Sequence, residues 1–348
     1  MELVALLREA IAHRASDLHL CGGTPPILRV DGKLRGLNVP PIPREEVTEM
    51  ILGVLNDAQK EKFELEWELD FSLDVRGVGR FRVNVHRQRG AVEAAFRVVH
   101  LEIRSIKQLG LPSIVEELTR RESGLILISG PTGSGKTTTM AAMIDAINAN
   151  RSCMIVTIED PIEFLHQHKR SIVKQREVLS DTKSFARALR ESLRQDPNVI
   201  AVGEMRDLET ISTALTAAET GHLVLATIHT PDVMQTIDRI IDVFPPGQQE
   251  QVRIQLANSI QALIAQLLLP IPGDQGRVVA TEILVATPAV RQVIRSKKTE
   301  QIMTILQTSY EQGMITMDKS LKNLYQRGLI SYDDAIAKCR SPESFDKL

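Results

Sequence analysis

Cysteine is nearly absent: Cys21, Cys153 and Cys339 are the three in 348 residues, and they lie far apart. No C-x-x-C occurs, which excludes a zinc ribbon or a redox dithiol built on that motif. A sparse, odd count suits a reducing cytoplasm. Aromatic residues are also few, with one Trp, three Tyr and eight Phe. That removes the stacking platforms on which single-stranded nucleic acid is bound. No excess of one charge exists either: 42 Lys and Arg stand against 44 Asp and Glu, a net of −2. A general nucleic-acid coat needs more positive charge to neutralise phosphates, so no nucleic-acid partner is expected. Long apolar runs are missing too. The nearest, 260–271, is interrupted by Gln261 and Gln266 and falls short of the ~20 residues that span a bilayer. The first residues mix Glu2, Arg8, Glu9 and Arg14 into their apolar pattern, unlike a signal peptide. Any membrane association is expected to run through a partner.

What is present is an ordinary globular composition, 43% hydrophobic and 25% charged, over a length that suggests two domains. Leu3, Leu6, Leu7, Ala10 and Ile11 recur at helical spacing. Strands are predicted at 27–30 and 33–37 around an Asp31-Gly32 turn, and a helix over 45–62. Further strands are predicted at 71–75, 81–85 and 92–99. This is a small α+β unit with an antiparallel sheet. After residue 100 short apolar runs alternate with helical stretches, the signature of a parallel α/β sheet. The division expected is 1–99, a linker over 100–112, and 113–348 with a mostly helical tail from Pro288, capped by Thr287.

Residues 130–137 read Gly130-Pro131-Thr132-Gly133-Ser134-Gly135-Lys136-Thr137, a complete G-x-x-x-x-G-K-[ST] match. An apolar run, 125–128, precedes it, and a helical stretch beginning at Thr138 follows. Gly133 and Gly135 let the backbone turn its N–H groups toward phosphate oxygens, and the helix N-terminus adds positive potential. Lys136 reaches the β- and γ-phosphates, and the Thr137 hydroxyl can ligate Mg²⁺. ATP and magnesium are therefore the expected ligands, with residues 130–138 holding the nucleotide.

Three more apolar runs end in polar residues. One leads into Glu159-Asp160-Pro161-Ile162-Glu163, a second into Gly203-Glu204-Met205-Arg206-Asp207, a third into His229-Thr230. Ligands of open parallel sheets bind outside the carboxyl ends of the strands. If these strands run parallel to the one before the phosphate loop, Glu159, Glu163, Glu204 and His229 gather near the γ-phosphate. Solvated loop acids are the plainer alternative. His222 and His229 are seven residues apart, an odd number that points them to opposite faces of a straight strand and argues against a shared metal.

The first hundred residues concentrate Arg76, Arg80, Arg82, Arg87, Arg89 and Arg97. Phe81, Val83 and Val85 share one strand face, and Arg80, Arg82 and Asn84 the other. Three readings stand: a solvated outer face, a nucleic-acid surface weakened by the scarcity of aromatics, or arginines delivered to a nucleotide.

Together these motifs resemble the secretion-type ring ATPases of type II secretion and type IV pili, and within them the PilT-like pilus retraction ATPases. The resemblance covers nearly the whole chain. Its parts are 15–20 (ASDLHL) with Pro25-Pro26 and Asp31-Gly32, the phosphate loop, the acidic box 157–163 (TIEDPIE), the long string 193–207 (LRQDPNVIAVGEMRD) and 221–230 (GHLVLATIHT). It implies a PAS-like N-terminal domain, a RecA-like ATPase domain and a homohexameric ring. It also implies that Glu204 polarises water and helps hold Mg²⁺, that Glu163 stands near the γ-phosphate, and that His229 senses it. Arg82 and Arg97, fifteen residues apart, match the family's paired arginines. The implied setting is cytoplasmic, at the inner face of the membrane, through a pilus platform protein. The short N-terminal stretch and the missing C-x-x-C favour retraction, giving twitching motility, over pilus assembly or type II secretion. Residues 289–296 (AVRQVIRS) keep both arginines of the family's Ala-Ile-Arg-Asn-Leu-Ile-Arg-Glu helix but not its Asn, Leu and Glu, so an accessory paralogue of the retraction motor is an alternative. Arg291 and Arg295 share a helix stripe, expected to be solvated or to meet an acidic partner.

Overall fold

A computed structural model describes residues 2–30, 32–99, 102–273 and 276–345. The chain divides into two compact units, one of Met1–Glu102 with Pro161–Leu165, the other of Ile103–Asp160 with His166–Leu348.

In the first unit, helix α1 (Leu3–Ala12) is followed by strands β1 (Asp17–Leu20), β2 (Ile27–Val30) and β3 (Lys33–Gly36). The expected Asp31-Gly32 turn falls on Asp31, which lies outside the described residues; the strands on either side pair with Val30 opposite Lys33. The single helix expected over 45–62 is two, α2 (Arg44–Leu52) and α3 (Asp57–Glu66). The break has a local cause: Gly53 ends the first, and Asn56 starts the second in a reciprocal capping box with Gln59. Strands β4 (Glu68–Val75), β5 (Gly79–Gln88) and β6 (Ala91–Val98) complete an antiparallel sheet of order β3-β2-β1-β6-β5-β4. Phe81, Val83, Val85 and Phe96 form its buried face with Leu6, Leu7 and Ala10 of α1. The alternate residues Arg82 and Arg97 are exposed.

Helix α4 (Ser113–Leu118) belongs to the second unit. His100 and Leu101, the first two residues of the expected linker, lie outside the described residues. The strands are β7 (Gly124–Ser129), β8 (Met154–Glu159), β9 (Ile172–Glu177), β10 (Val199–Val202), β11 (Leu223–Ile228), β12 (Ile260–Pro270) and β13 (Arg277–Val285). They form one sheet of order β13-β12-β7-β11-β10-β8-β9, parallel except for the β12–β13 hairpin. Helices α5 (Lys136–Asn150), α6 (Phe185–Ser192), α7 (Leu208–Glu219), α8 (Val233–Asp242) and α9 (Pro246–Ser259) connect the strands, and α10 (Pro288–Arg295) begins a helical tail. Every residue of β7 is buried, and its side chains divide between two cores. Leu125 and Leu127 face one, Ile126 and Ile128 the other. Burial on both faces is what makes these strands read as unbroken apolar runs. Most of the stretch 260–271, apolar but too short for a membrane, is strand β12, paired on both sides by β13 and β7. Among the described residues no helix is long and apolar enough to cross a membrane.

Candidate functional site

The phosphate loop joins β7 to α5. Two glycines carry its shape. Gly135 caps α5 at φ 86°, a left-handed conformation that side chains disfavour. Gly130 has φ 145°, and a Cβ there would lie 2.4 Å from the Gln266 carbonyl oxygen and 2.6 Å from Ser134 Oγ. Gln266, which interrupts the apolar pattern of β12, is fully buried, and its Nε2 donates to the Ser134 carbonyl at 2.6 Å. The polar residue that weakens the run as a membrane segment is thus a strut beneath the loop. Its sequence signal is an amide that, with Gln261, breaks an otherwise apolar strand.

The strand order then fixes what meets the loop. Strand β11 lies between β7 and β10, so its carboxyl end delivers His229 between the loop and the residue after β10. Lys136 is buried, and its Nζ donates to the carbonyls of Gly130 at 2.9 Å and Pro131 at 3.0 Å. It also lies 3.4 Å from His229 Nδ1, and Thr132 Oγ1 lies 3.5 Å from the same nitrogen. On its other side His229 Nε2 is 3.2 Å from Glu204 Oε1. Arg206 Nη2 takes the second oxygen of Glu204 at 2.5 Å. Burial pushes the Glu204 carboxyl up, but the Arg206 hydrogen bond and the nearby His229 outweigh it and hold it below the usual Glu range. Arg206, to which the sequence pattern attached no role, is therefore a direct partner of the central acid.

Other residues of these strand ends do structural work. Glu159 is buried and accepts from Thr157 Oγ1 and, at 3.0 Å, from Gln175 Nε2. Asp207 caps α7 through the Thr210 N–H at 2.8 Å. Thr227 Oγ1 donates to the Gly203 carbonyl, tying β11 to the loop that carries Glu204. His222 Nδ1 lies 3.0 Å from the Ala217 carbonyl at the end of α7. A cavity of about 450 Å³ opens beside the phosphate loop, lined by Arg104, Gln108, Gly135, Thr138, Gln266 and Arg277 among others.

A strand-loop-helix phosphate cradle with an ionised acid two strands away, across β11, on a parallel sheet, is the arrangement of a nucleotide hydrolase. The full sequence agrees, matching the family described as "Type II/IV secretion system protein" over residues 2–336. The chain belongs to this family. As a member with an intact phosphate loop, it is a P-loop ATPase of mixed α/β fold with a RecA-like ATPase unit. It is 47% identical over 345 residues to the type IV pilus retraction ATPase PilT of Pseudomonas aeruginosa, covering 99% of this chain and 100% of that one. It is 46% identical to a twitching motility protein of Neisseria gonorrhoeae, over 98% of this chain and 91% of that one. A crystal structure of the pilus retraction motor PilT with bound ADP superposes with a TM-score of 0.93 at 49% identity, covering 100% of both chains.

Within this family member, Lys136, Glu204 and His229 are brought together in one unit. Glu163 is exposed and belongs with Pro161–Leu165 to the N-terminal unit, as do Arg82 and Arg97. The stripe of α10 differs from expectation. Arg291 Nη1 donates to the Ala257 and Asn258 carbonyls at 2.6 and 2.7 Å, and Arg295 Nη2 to Asn258 Oδ1 at 2.8 Å. Arg291, half-buried, caps the carboxyl end of α9, where carbonyls lack helical partners; Arg295 is exposed, as expected of a solvated stripe, and holds the Asn258 side chain rather than an acid.

Proposed function

We propose that the chain is the ATP-hydrolysing subunit of a homohexameric motor that retracts type IV pili and so drives twitching motility. It would work in the cytoplasm, at the inner face of the membrane, through a platform protein of the pilus machine. The observation that carries this reading is the full-length likeness to PilT, at 47% identity with both chains covered end to end.

In this reading an N-terminal PAS-like domain, 1–99, and the ATPase domain, 113–348, are joined by a linker over 100–112. The residues Gly130 to Thr138 hold the nucleotide's phosphates through backbone N–H groups. Lys136 exchanges its carbonyl partners for the β- and γ-phosphates. The cavity beside Thr138, with Arg104 and Arg277, takes the nucleoside. Glu204, ionised, accepts a proton as a water oxygen attacks the γ-phosphorus and the bond to the ADP oxygen breaks. The Thr137 hydroxyl and the Glu204 carboxylate are hard oxygen donors of the kind that magnesium takes, and they would hold it here. That ion, when bound, neutralises charge on the phosphates. His229 responds to the γ-phosphate, being already in reach of both Lys136 and Glu204. By the resemblance, Glu163 would act toward the γ-phosphate, and Arg82 and Arg97 supply positive charge from the N-terminal domain across a subunit boundary.

Clean deletion of the coding sequence, followed by imaging of surface pili, tests the direction of work. Retraction predicts cells with accumulated pili that no longer spread. Bald cells would assign the chain to assembly. Unchanged pili with altered spreading would assign it an accessory role.

A further inference from the structure

A charged row crosses the polar face of the N-terminal sheet at one register level. Strand pairing sets Arg29 opposite Asp17, Asp17 opposite Arg97, and Arg97 opposite Arg82. Residues directly opposite one another in adjacent strands project to the same face. The row therefore reads plus, minus, plus, plus. Two arginines facing each other repel, so the sheet gains nothing in stability from placing Arg82 beside Arg97.

Asp17 stands on this polar face yet is only 6% exposed. Arg97 Nε donates to its Oδ1 at 2.9 Å, Ser16 Oγ donates to its Oδ2 at 2.8 Å, and Arg29 Nε lies 3.8 Å from Oδ2. Burial pushes this carboxyl up, but the bonds from Ser16 and Arg97 outweigh it and hold it below the usual Asp range. Arg97, by contrast, keeps a side chain 68% exposed. The bond to Asp17 uses Nε, the donor nearest the stem. Among the described residues, its two terminal nitrogens make no hydrogen bond. A guanidinium has five donors in a rigid fork, so gripping it by Nε sets its direction and leaves the phosphate-binding end free.

We infer that Asp17 is a positioning residue, holding Arg97 by its Nε so that the terminal amino groups are presented beside Arg82 to the phosphates of a nucleotide. This rests on the reading of Arg97 as a phosphate-facing arginine. It gives the acid of the ASDLHL motif a task that its place on a strand does not explain.

The test is a double-variant cycle on the full-length protein, reading kcat and KM for ATP together with the thermal midpoint. Arg97→Ala is expected to lower kcat at least about tenfold, since arginines of this kind are worth about 10³–10⁵ in the best cases. Asp17→Asn is expected to lower kcat about five- to tenfold with KM within about twofold, because the group is misaligned rather than lost. The double variant should be no slower than Arg97→Ala alone. If Asp17→Asn retains wild-type kcat while Arg97→Ala is impaired, the positioning inference falls and the reading of Arg97 stands. If Arg97→Ala retains wild-type kcat, that reading falls and the inference with it. If the two losses multiply, Asp17 acts through the fold and the inference is overturned. Should Asp17→Asn not fold, Ser16→Ala at an exposed position replaces it. The expected loss is then about two- to threefold in kcat in the wild-type background and none beside Arg97→Ala; no loss in the wild-type background, or the same fold-loss in both, overturns the inference.

Discussion

His229 bridges Lys136 and Glu204, with Nδ1 3.4 Å from the lysine Nζ and Nε2 3.2 Å from the glutamate Oε1. The direction of these contacts follows from chemistry. An ammonium group only donates, so Nδ1 must accept. With Nδ1 accepting, Nε2 carries an N–H and donates a hydrogen bond to the carboxylate. One imidazole thereby links the lysine of the phosphate loop to the acid that follows β10.

Glu204→Gln should retain ATP binding and lose most turnover. The amide keeps the shape but cannot take a proton, and loss of such a base costs about 10²–10⁴-fold. Steady-state hydrolysis, with binding of a fluorescent nucleotide as the control, checks this. Wild-type turnover would remove Glu204 from the chemistry.

Arg206→Ala should move the acid limb of the pH profile upward. Glu204 is held below the usual Glu range with Arg206 as its closest charged partner. A depressed carboxyl stays ionised until pH falls through its lowered value. Without the guanidinium that loss begins at higher pH, so kcat/KM falls earlier on acidification. Profiles of kcat/KM on the two proteins, over a range where both remain folded, would show the displacement. Superimposable acid limbs would count against it.

Gly130→Ala should fail at the loop itself. The added methyl would meet the Gln266 carbonyl at 2.4 Å, a backbone atom in a strand held by partners on both sides. Overpacking of this kind costs about 1–3 kcal/mol. A thermal midpoint lowered by several degrees and weakened nucleotide binding are expected, read by calorimetry and titration. An unchanged midpoint would show that β12 yields here.

Arg291→Ala combined with Arg295→Ala should lower stability more than catalysis. Three hydrogen bonds to the end of α9 are lost, which for one half-buried and one exposed arginine is worth about 1–2 kcal/mol. Turnover at room temperature should stay within about twofold while the thermal midpoint drops. A normal midpoint with lost colony spreading at matched protein level would instead make this stripe a contact surface for a partner.

Features that depend on short stretches of backbone can be read from the residues alone. The phosphate loop is legible because its glycines, lysine and threonine act through conformations set within eight residues. The parallel sheet is legible because doubly buried strands are apolar throughout. The break between α2 and α3 was equally local, written in Gly53 and the Asn56–Gln59 box, and was missed by following helical periodicity past it. The tertiary structure alone decided which strand ends become neighbours. The order β7-β11-β10 sets His229 between Lys136 and Glu204, although β11 follows β10 in the chain. It likewise put Gln266 under Ser134, Arg291 on the end of α9, and Asp17 on Arg97 across 80 residues of sequence. Those partners are chosen by which apolar faces bury one another over long separations. No local pattern encodes that choice, because each polar side chain takes its partner from whatever the packed strands bring alongside.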